Sequence, residues 1–159
     1  MEIRIATIND LEEVLSIYEY ARSFMAENGN PTQWKKNYPP IETVKKDIAD
    51  GKLHLCMEED KIACVFYYNM GIDPTYNVID GAWLNDKSYG VVHRVASAKG
   101  TKGAASFSLN WAYKQCKNLK IDTHENNIPM QNLLKKLGFV HCGTITLTNG
   151  EPRWAYQKK

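Results

Sequence analysis

Several features that would point to metal, disulfide or membrane chemistry are missing from this chain. Only four cysteines occur in 159 residues, at Cys56, Cys64, Cys116 and Cys142, and no two form a C-x-x-C pair. They read as reduced thiols of a cytosolic, cytoplasmic protein, not as a disulfide frame or a zinc site. The four histidines show no H-x-x-x-H spacing, so no metal motif is expected. No run approaches the ~18 consecutive apolar residues that a membrane-spanning helix needs. The opening Met1-Glu2-Ile3-Arg4-Ile5-Ala6 lacks the basic and apolar regions of a secretory leader. An excess of charge is also lacking: 20 Lys and Arg stand against 18 Asp and Glu, a net charge of +2. Neither nucleic acid nor a membrane surface is an expected partner at that balance.

What is present is patterning. Ile3 and Ile5 alternate in a short opening strand over residues 2–6. Thr7 to Asp10 supply capping residues ahead of Leu11, Val14, Leu15 and Tyr18 at helical spacing, and Asn28-Gly29-Asn30-Pro31 stops that helix. An aromatic stretch without clear period, residues 32–40, leads to a short helix over 41–50. The pattern then predicts a hairpin of strands 53–58 and 61–69, an irregular stretch over 70–86 and a strand over 89–97. Next come a helix over 103–117, a strand over 119–123, a helix over 129–137 and a closing hairpin of 139–148 with 152–157. Strands and helices interleave without repeat, linker or low-complexity segment. The expectation is one α/β (α+β) domain over residues 1–159, a mixed central sheet flanked by about four helices.

The loop Ala98-Lys99-Gly100-Thr101-Lys102-Gly103-Ala104-Ala105-Ser106 lies between a strand and a helix. Its small residues let backbone approach a ligand, and the first N–H groups of the helix point outward unpaired, a seat for a phosphate-bearing group. A plain glycine turn into a helix reads equally well from these residues alone. The familiar phosphate motifs are absent: there is no G-x-x-x-x-G-K-[ST] and no G-x-G-x-x-G.

Several segments together resemble the GNAT superfamily of N-acetyltransferases. That family's acyl-CoA loop, (Arg/Gln)-x-x-Gly-x-(Gly/Ala), aligns with Gly100-Thr101-Lys102-Gly103-Ala104-Ala105, Gly100 standing in place of the leading Arg or Gln. Its N-x-x-A-x-x-L-Y-x-x-x-G-F segment is echoed from Asn127 to Phe139. Its R-x-A-x-x-x-D start is echoed by Arg4, Ala6 and Asp10. The resemblance implies transfer of an acetyl group from acetyl-CoA to an amine in a ternary complex, without a metal. It implies a sheet splayed between the strands at 89–97 and 119–123, and a Val95 N–H that polarises the thioester carbonyl. The N–H groups from Thr101 through Lys102, Gly103, Ala104 and Ala105 to Ser106 would hold the pyrophosphate, with Lys102 adding charge. Asn127 would bond the cofactor arm. Leu134 stands where many members carry a tyrosine that protonates the departing thiolate, so the general acid is left unassigned.

For the base, Tyr89 occupies a position where the family often carries Glu or His. Strand alternation places Tyr89, Val91, His93 and Val95 on one face. His93 is the candidate proton acceptor, because an imidazole ordinarily titrates near ~6.5; a hydrogen-bonded core histidine is the competing reading, and His124 is second choice. Trp34 and Tyr38 are the candidate acceptor-binding residues, Trp34 being hard to explain as core in an irregular polar loop. Asp73, Glu27, Asp80 and Glu151 are carboxylates that could hold a cationic amine. The absence of a dense acidic patch favours a small-molecule amine as partner. Acetylation of a protein N-terminus or lysine, and a non-catalytic acyl-CoA-binding module, are the alternatives. The resemblance also admits a homodimer, although no exposed apolar stripe marks one.

Overall fold

Residues 53–56 and 62–66 are buried without interruption, as strands must be when layers cover both faces of a sheet. The computed structural model describes residues 1–35 and 37–159; Lys36, in the aromatic stretch, lies outside the described residues. It holds β1 (Glu2–Ile5), α1 (Leu11–Glu27), α2 (Ile41–Ala49), β2 (Leu53–Glu58), β3 (Lys61–Met70), β4 (Asp80–Gly81), β5 (Gly90–Ser97), α3 (Ala104–Cys116), β6 (Leu119–Thr123), α4 (Ile128–Lys136), β7 (Val140–Thr146) and β8 (Pro152–Lys158). The strands form one sheet in the order β1-β2-β3-β5-β6-β8-β7-β4. Only β5 and β6 run parallel; the other neighbours are antiparallel. The α/β class with a mixed sheet and four helices is as expected. The short β4 is an addition, pairing with β7 inside a stretch read as irregular.

Alternation along β3 sends Val65 to one side and Phe66 to the other. Val65 joins Val14, Ile17, Tyr18, Val44 and Ile48 under α1 and α2. Phe66 joins Leu109, Ala112 and Leu134 under α3 and α4. On β5 this rule breaks. Val92 packs on the α3/α4 side, yet Ala96, four residues on, packs on the α1/α2 side. The register explains it: Val65 pairs with Ala96 and Tyr67 with His93, so β5 carries one residue more than β3 between the two pairs. This is a β-bulge, and it reverses the facing of everything beyond it. Arg94 at the bulge has φ +52°, left-handed backbone that a non-glycine residue adopts only when held there. Its guanidinium is bonded to Asp47 of α2 at 2.7 and 3.0 Å, and its carbonyl accepts the Tyr18 hydroxyl at 3.0 Å. The expected sharing of one face by His93 and Val95 is therefore corrected: His93 faces the α1/α2 side and Val95 packs with the α3/α4 cluster.

Beside the bulge the sheet opens. Pairing of β5 with β6 is confined to Gly90–Leu119 and Val91–Lys120, and beyond that the two strands part. The split between them leaves one edge of β5 unladdered.

The entry to α1 shows a local design legible in sequence. Asp10 accepts the Thr7 N–H at 2.7 Å and receives Arg4 as a fork at 2.9 and 2.9 Å. The Arg4 hydrogen bond is the main reason its carboxyl falls to about 2; burial opposes it, and Thr7 assists. A carboxyl depressed on folding stabilises above its unfolded value near ~3.9 and loses that contribution as pH falls towards 2. Asp10→Ala should cost about 1 kcal/mol at pH 7, the usual worth of a cap, the exposed Arg4 side adding little. Denaturant titrations should show this gap closing between pH ~4 and ~2; a gap independent of pH would dissociate the stability from the ionised carboxylate.

Candidate active site

The split between β5 and β6 is the floor of a cavity of about 500 Å³. His93 from β5 and Asp122 from β6 face it, together with Asp73 from the loop after β3 and Arg153 from β8. His93 Nε2 lies 2.7 Å from Asp73 Oδ2. An ionised carboxylate only accepts, so Nε2 carries the proton and the neutral ring presents Nδ1 as a lone pair. Nδ1 is 3.9 Å from Asp122 Oδ2, too far for a direct hydrogen bond. Asp73 is fixed in turn: its Oδ1 accepts the Thr75 N–H at 3.0 Å and the Thr75 hydroxyl at 2.7 Å. Burial works against the Asp73 charge, but the His93 and Thr75 hydrogen bonds prevail and hold the carboxyl down to about 2. Asp122 Oδ2 accepts the Tyr76 hydroxyl at 2.6 Å. Burial first, then the nearby Asp122 charge, push the Tyr76 phenol well above its ordinary value, so it stays protonated and donates. Each ring nitrogen of His93 thus faces a different carboxylate, which suits proton transfer better than metal ligation.

A second, smaller hollow of about 180 Å³ runs from the C-terminal end of α1 past Val95 and Ala105 to Pro129 and Leu133 of α4. Met25, Val95, Asn127 and Met130 line both spaces, so groove and cavity meet at the split. The start of α3 borders the groove through Ala105. Gly103 precedes it with φ +75° and ψ 1°, and no side chain caps the helix. The first backbone bond of the helix is Phe107 N–H to Gly103 O, which leaves the N–H groups of Ala104, Ala105 and Ser106 for an outside acceptor. A Cβ at Gly103 would meet nothing within 4 Å.

These placements sort the residues expected from sequence. His93 is in the cavity. Tyr89 is not among its lining residues; its hydroxyl accepts the Asp73 N–H at 3.0 Å, making it a support for Asp73. Gly103, Ala104, Ala105 and Ser106 sit at the helix start with Lys102 exposed beside them. Thr101 instead turns back on itself, its N–H and hydroxyl both donated to Ala98 O. Asn127 caps α4, accepting the Met130 N–H, and donates to Gln33 Oε1; its amide is committed within the protein. Trp34 is core after all, 7% exposed and edge-on to Tyr18 at 5.5 Å between ring centroids, while still lining the cavity with Tyr38. His124 closes its own loop through Thr32 and the Asn126 N–H. Asp122 was missed: it is set by strand pairing, which leaves no local signal. Leu134 is fully buried among Phe66, Val92 and Leu109.

No protein-family model and no curated protein matches the chain. Solved structures do. A GNAT-family acetyltransferase from Streptococcus agalactiae 2603 shares 32% identity over 99% of this chain and 94% of its own, with a TM-score of 0.90. The chain belongs to the GNAT family of acetyltransferases. A candidate acetyltransferase from Staphylococcus aureus Mu50 is 27% identical, covering 100% and 99% of the two chains at a TM-score of 0.74. A ribosomal-protein-alanine N-acetyltransferase from Brucella melitensis shares the fold at 18% identity and a TM-score of 0.65, over 99% of each chain.

GNAT acetyltransferases use acetyl-CoA, and the site can be tested against such a donor. Two observations fit it: the uncapped start of α3 suits a pyrophosphate, and Asn30 Oδ1, in a groove-lining residue only 2% exposed, has no hydrogen-bond partner among the described residues. An acceptor so placed could take a hydrogen bond from an amide N–H of an extended ligand.

Proposed function

We propose that the protein transfers the acetyl group of acetyl-CoA to an amine on a small molecule, by direct attack while both substrates are held. The observation that carries the reading is the meeting of groove and cavity at the β5–β6 split, with the His93–Asp73 pair on the cavity side. The N–H groups of Ala104, Ala105 and Ser106 hold the pyrophosphate, with Lys102 adjacent. Asn30 Oδ1 and the unladdered edge of β5 around Val95 hold the arm, in the manner of an added strand. When bound, acetyl-CoA supplies an electrophilic thioester carbonyl. The chain does the rest.

Asp122 draws the incoming ammonium into the cavity. Because Asp122 and His93 Nδ1 stand 3.9 Å apart, an amine nitrogen bonded to one is within reach of the other. His93 Nδ1 takes the proton that must leave before the nitrogen can attack. Asp73, ionised at working pH, receives Nε2–H and steadies the imidazolium that results. Positioning contributes much of the remaining acceleration. A cavity of about 500 Å³ walled by Trp34 and Tyr38 is of the size that encloses a small ligand, and its rings favour an amine with apolar or aromatic character.

The test is CoA release from acetyl-CoA across free amino acids, alkylamines and arylalkylamines, beside peptides with free N-termini. Turnover of small amines with little turnover of peptides is the expected result. Turnover of peptides alone would move the acceptor to a protein; binding without turnover would leave an acyl-CoA-binding module.

A further inference from the structure

Among the described residues, two buried side-chain atoms have no hydrogen-bond partner: Asn30 Oδ1 in the groove and Thr123 Oγ1 in the cavity wall. Thr123 ends β6 at the split and is 1% exposed. Its pairing with Trp154, two steps from Ile121 with Tyr156, sets it on the α3/α4 side of the sheet. Val95 occupies the same side across the split, and Leu134 of α4 packs on it too. Val95 and Met130, both of that cluster, line groove and cavity alike, and Thr123 lines the cavity beside them.

The hydroxyls around the cavity are otherwise accounted for. Tyr76 donates to Asp122, Thr75 to Asp73 and Tyr18 to the Arg94 carbonyl, while Tyr89 receives the Asp73 N–H. Tyr38 and Thr148 are exposed at the rim. Leu134 offers α4 no hydroxyl. Thr123 is the one buried hydroxyl in the wall left to receive a ligand.

We propose that the Thr123 hydroxyl binds the sulfur of the acyl donor and stabilises it as the thiolate leaves; this rests on the acetyl-transfer reading above. The amine, relieved of its first proton by His93, bonds through nitrogen to the carbonyl carbon and loses its second proton to water. The C–S bond then breaks with both electrons on sulfur, which accepts the Thr123 O–H hydrogen bond. Threonine keeps its proton throughout. A thiol titrating near ~8.5 leaves readily as its anion and takes its proton from water on release; His93 returns its own to solvent. The hydroxyl is thus a thiolate-binding donor, not an acid.

The experiment compares CoA with desulfo-CoA by calorimetry at about pH 7 and about pH 9.5, on either side of the thiol's titration. In the wild type the preference for CoA over desulfo-CoA should grow about ten-fold at the higher pH, the size expected of one hydrogen bond to an anion. Thr123→Val should flatten that growth, and Thr123→Ser should restore it. Thr123→Val should also melt at or above the wild-type temperature, since it deletes an unsatisfied buried polar group without changing shape. A preference that grows equally in wild type and Thr123→Val, or in neither, overturns the assignment while leaving the acetyl-transfer reading intact. A clear drop in melting temperature overturns it too, by showing that the hydroxyl has a structural partner. If the wild type binds neither CoA nor desulfo-CoA, the acetyl-transfer reading falls and takes this inference with it.

Discussion

His93→Ala should lower kcat by about 10²–10³-fold while leaving acetyl-CoA affinity within about two-fold. Asp73 is held by Thr75 through both its backbone N–H and its hydroxyl, and by Tyr89 through the backbone N–H of Asp73 itself. So anchored, its remaining oxygen fixes Nε2–H of His93 at 2.7 Å and leaves Nδ1 as the acceptor. The groove holds the donor through other residues, which is why binding should survive the substitution. Asp73→Asn gives a second reading of the same pair. An amide can present its NH₂ to Nε2, which moves the ring proton to Nδ1 and removes the acceptor, so a loss of about 10²-fold is expected with the fold retained. Unchanged kcat in His93→Ala would take the imidazole out of the reaction and leave Asp122 as the proton acceptor.

How much of this was legible depended on range. Local chemistry announced the start of α1 through Thr7 and Asp10, its end through Gly29, and the start of α3 through Gly103. Periodicity placed every strand but β4, which spans two residues and so carries no period to detect. The bulge escaped the same reasoning, because alternation assumes one residue per step and Arg94 is an extra one; only the pairing with β3 reveals it. That error moved Val95 to the wrong face while leaving His93 on the right one. Asp122 was invisible for a related reason. Its neighbours, Lys120 and Thr123, are both buried, and nothing in Leu119-Lys120-Ile121-Asp122-Thr123 says which residue will meet a histidine on another strand. Trp34, hard to explain as core from its polar loop, is both: Tyr18 of α1, sixteen positions earlier, takes one part of it into the core while it also lines the cavity. Contacts distant in sequence decided each of these cases.

Gly103→Asp should weaken acetyl-CoA binding by about 100-fold or more, with little change in melting temperature. Gly103 stands at φ +75°, where an L side chain is strained, but Asp and Asn tolerate the left-handed region better than other residues. No atom lies within 4 Å of an added Cβ, so there is no clash to unfold the chain. What changes is the electrostatics of the helix start. A carboxylate there sits beside the N–H groups of Ala104, Ala105 and Ser106 and can accept from them, as capping residues do. It would then fill the seat that the pyrophosphate needs and repel the phosphates as well. Losing two charge-assisted hydrogen bonds at about 1.5 kcal/mol or more each accounts for the expected factor. Gly103→Ala separates charge from strain: it carries the same backbone penalty without the anion and should lose less than about ten-fold. Calorimetric titration of acetyl-CoA into the three proteins measures both effects. Equal affinities would mean that the phosphates do not dock on α3 and that the groove must be entered from its other end.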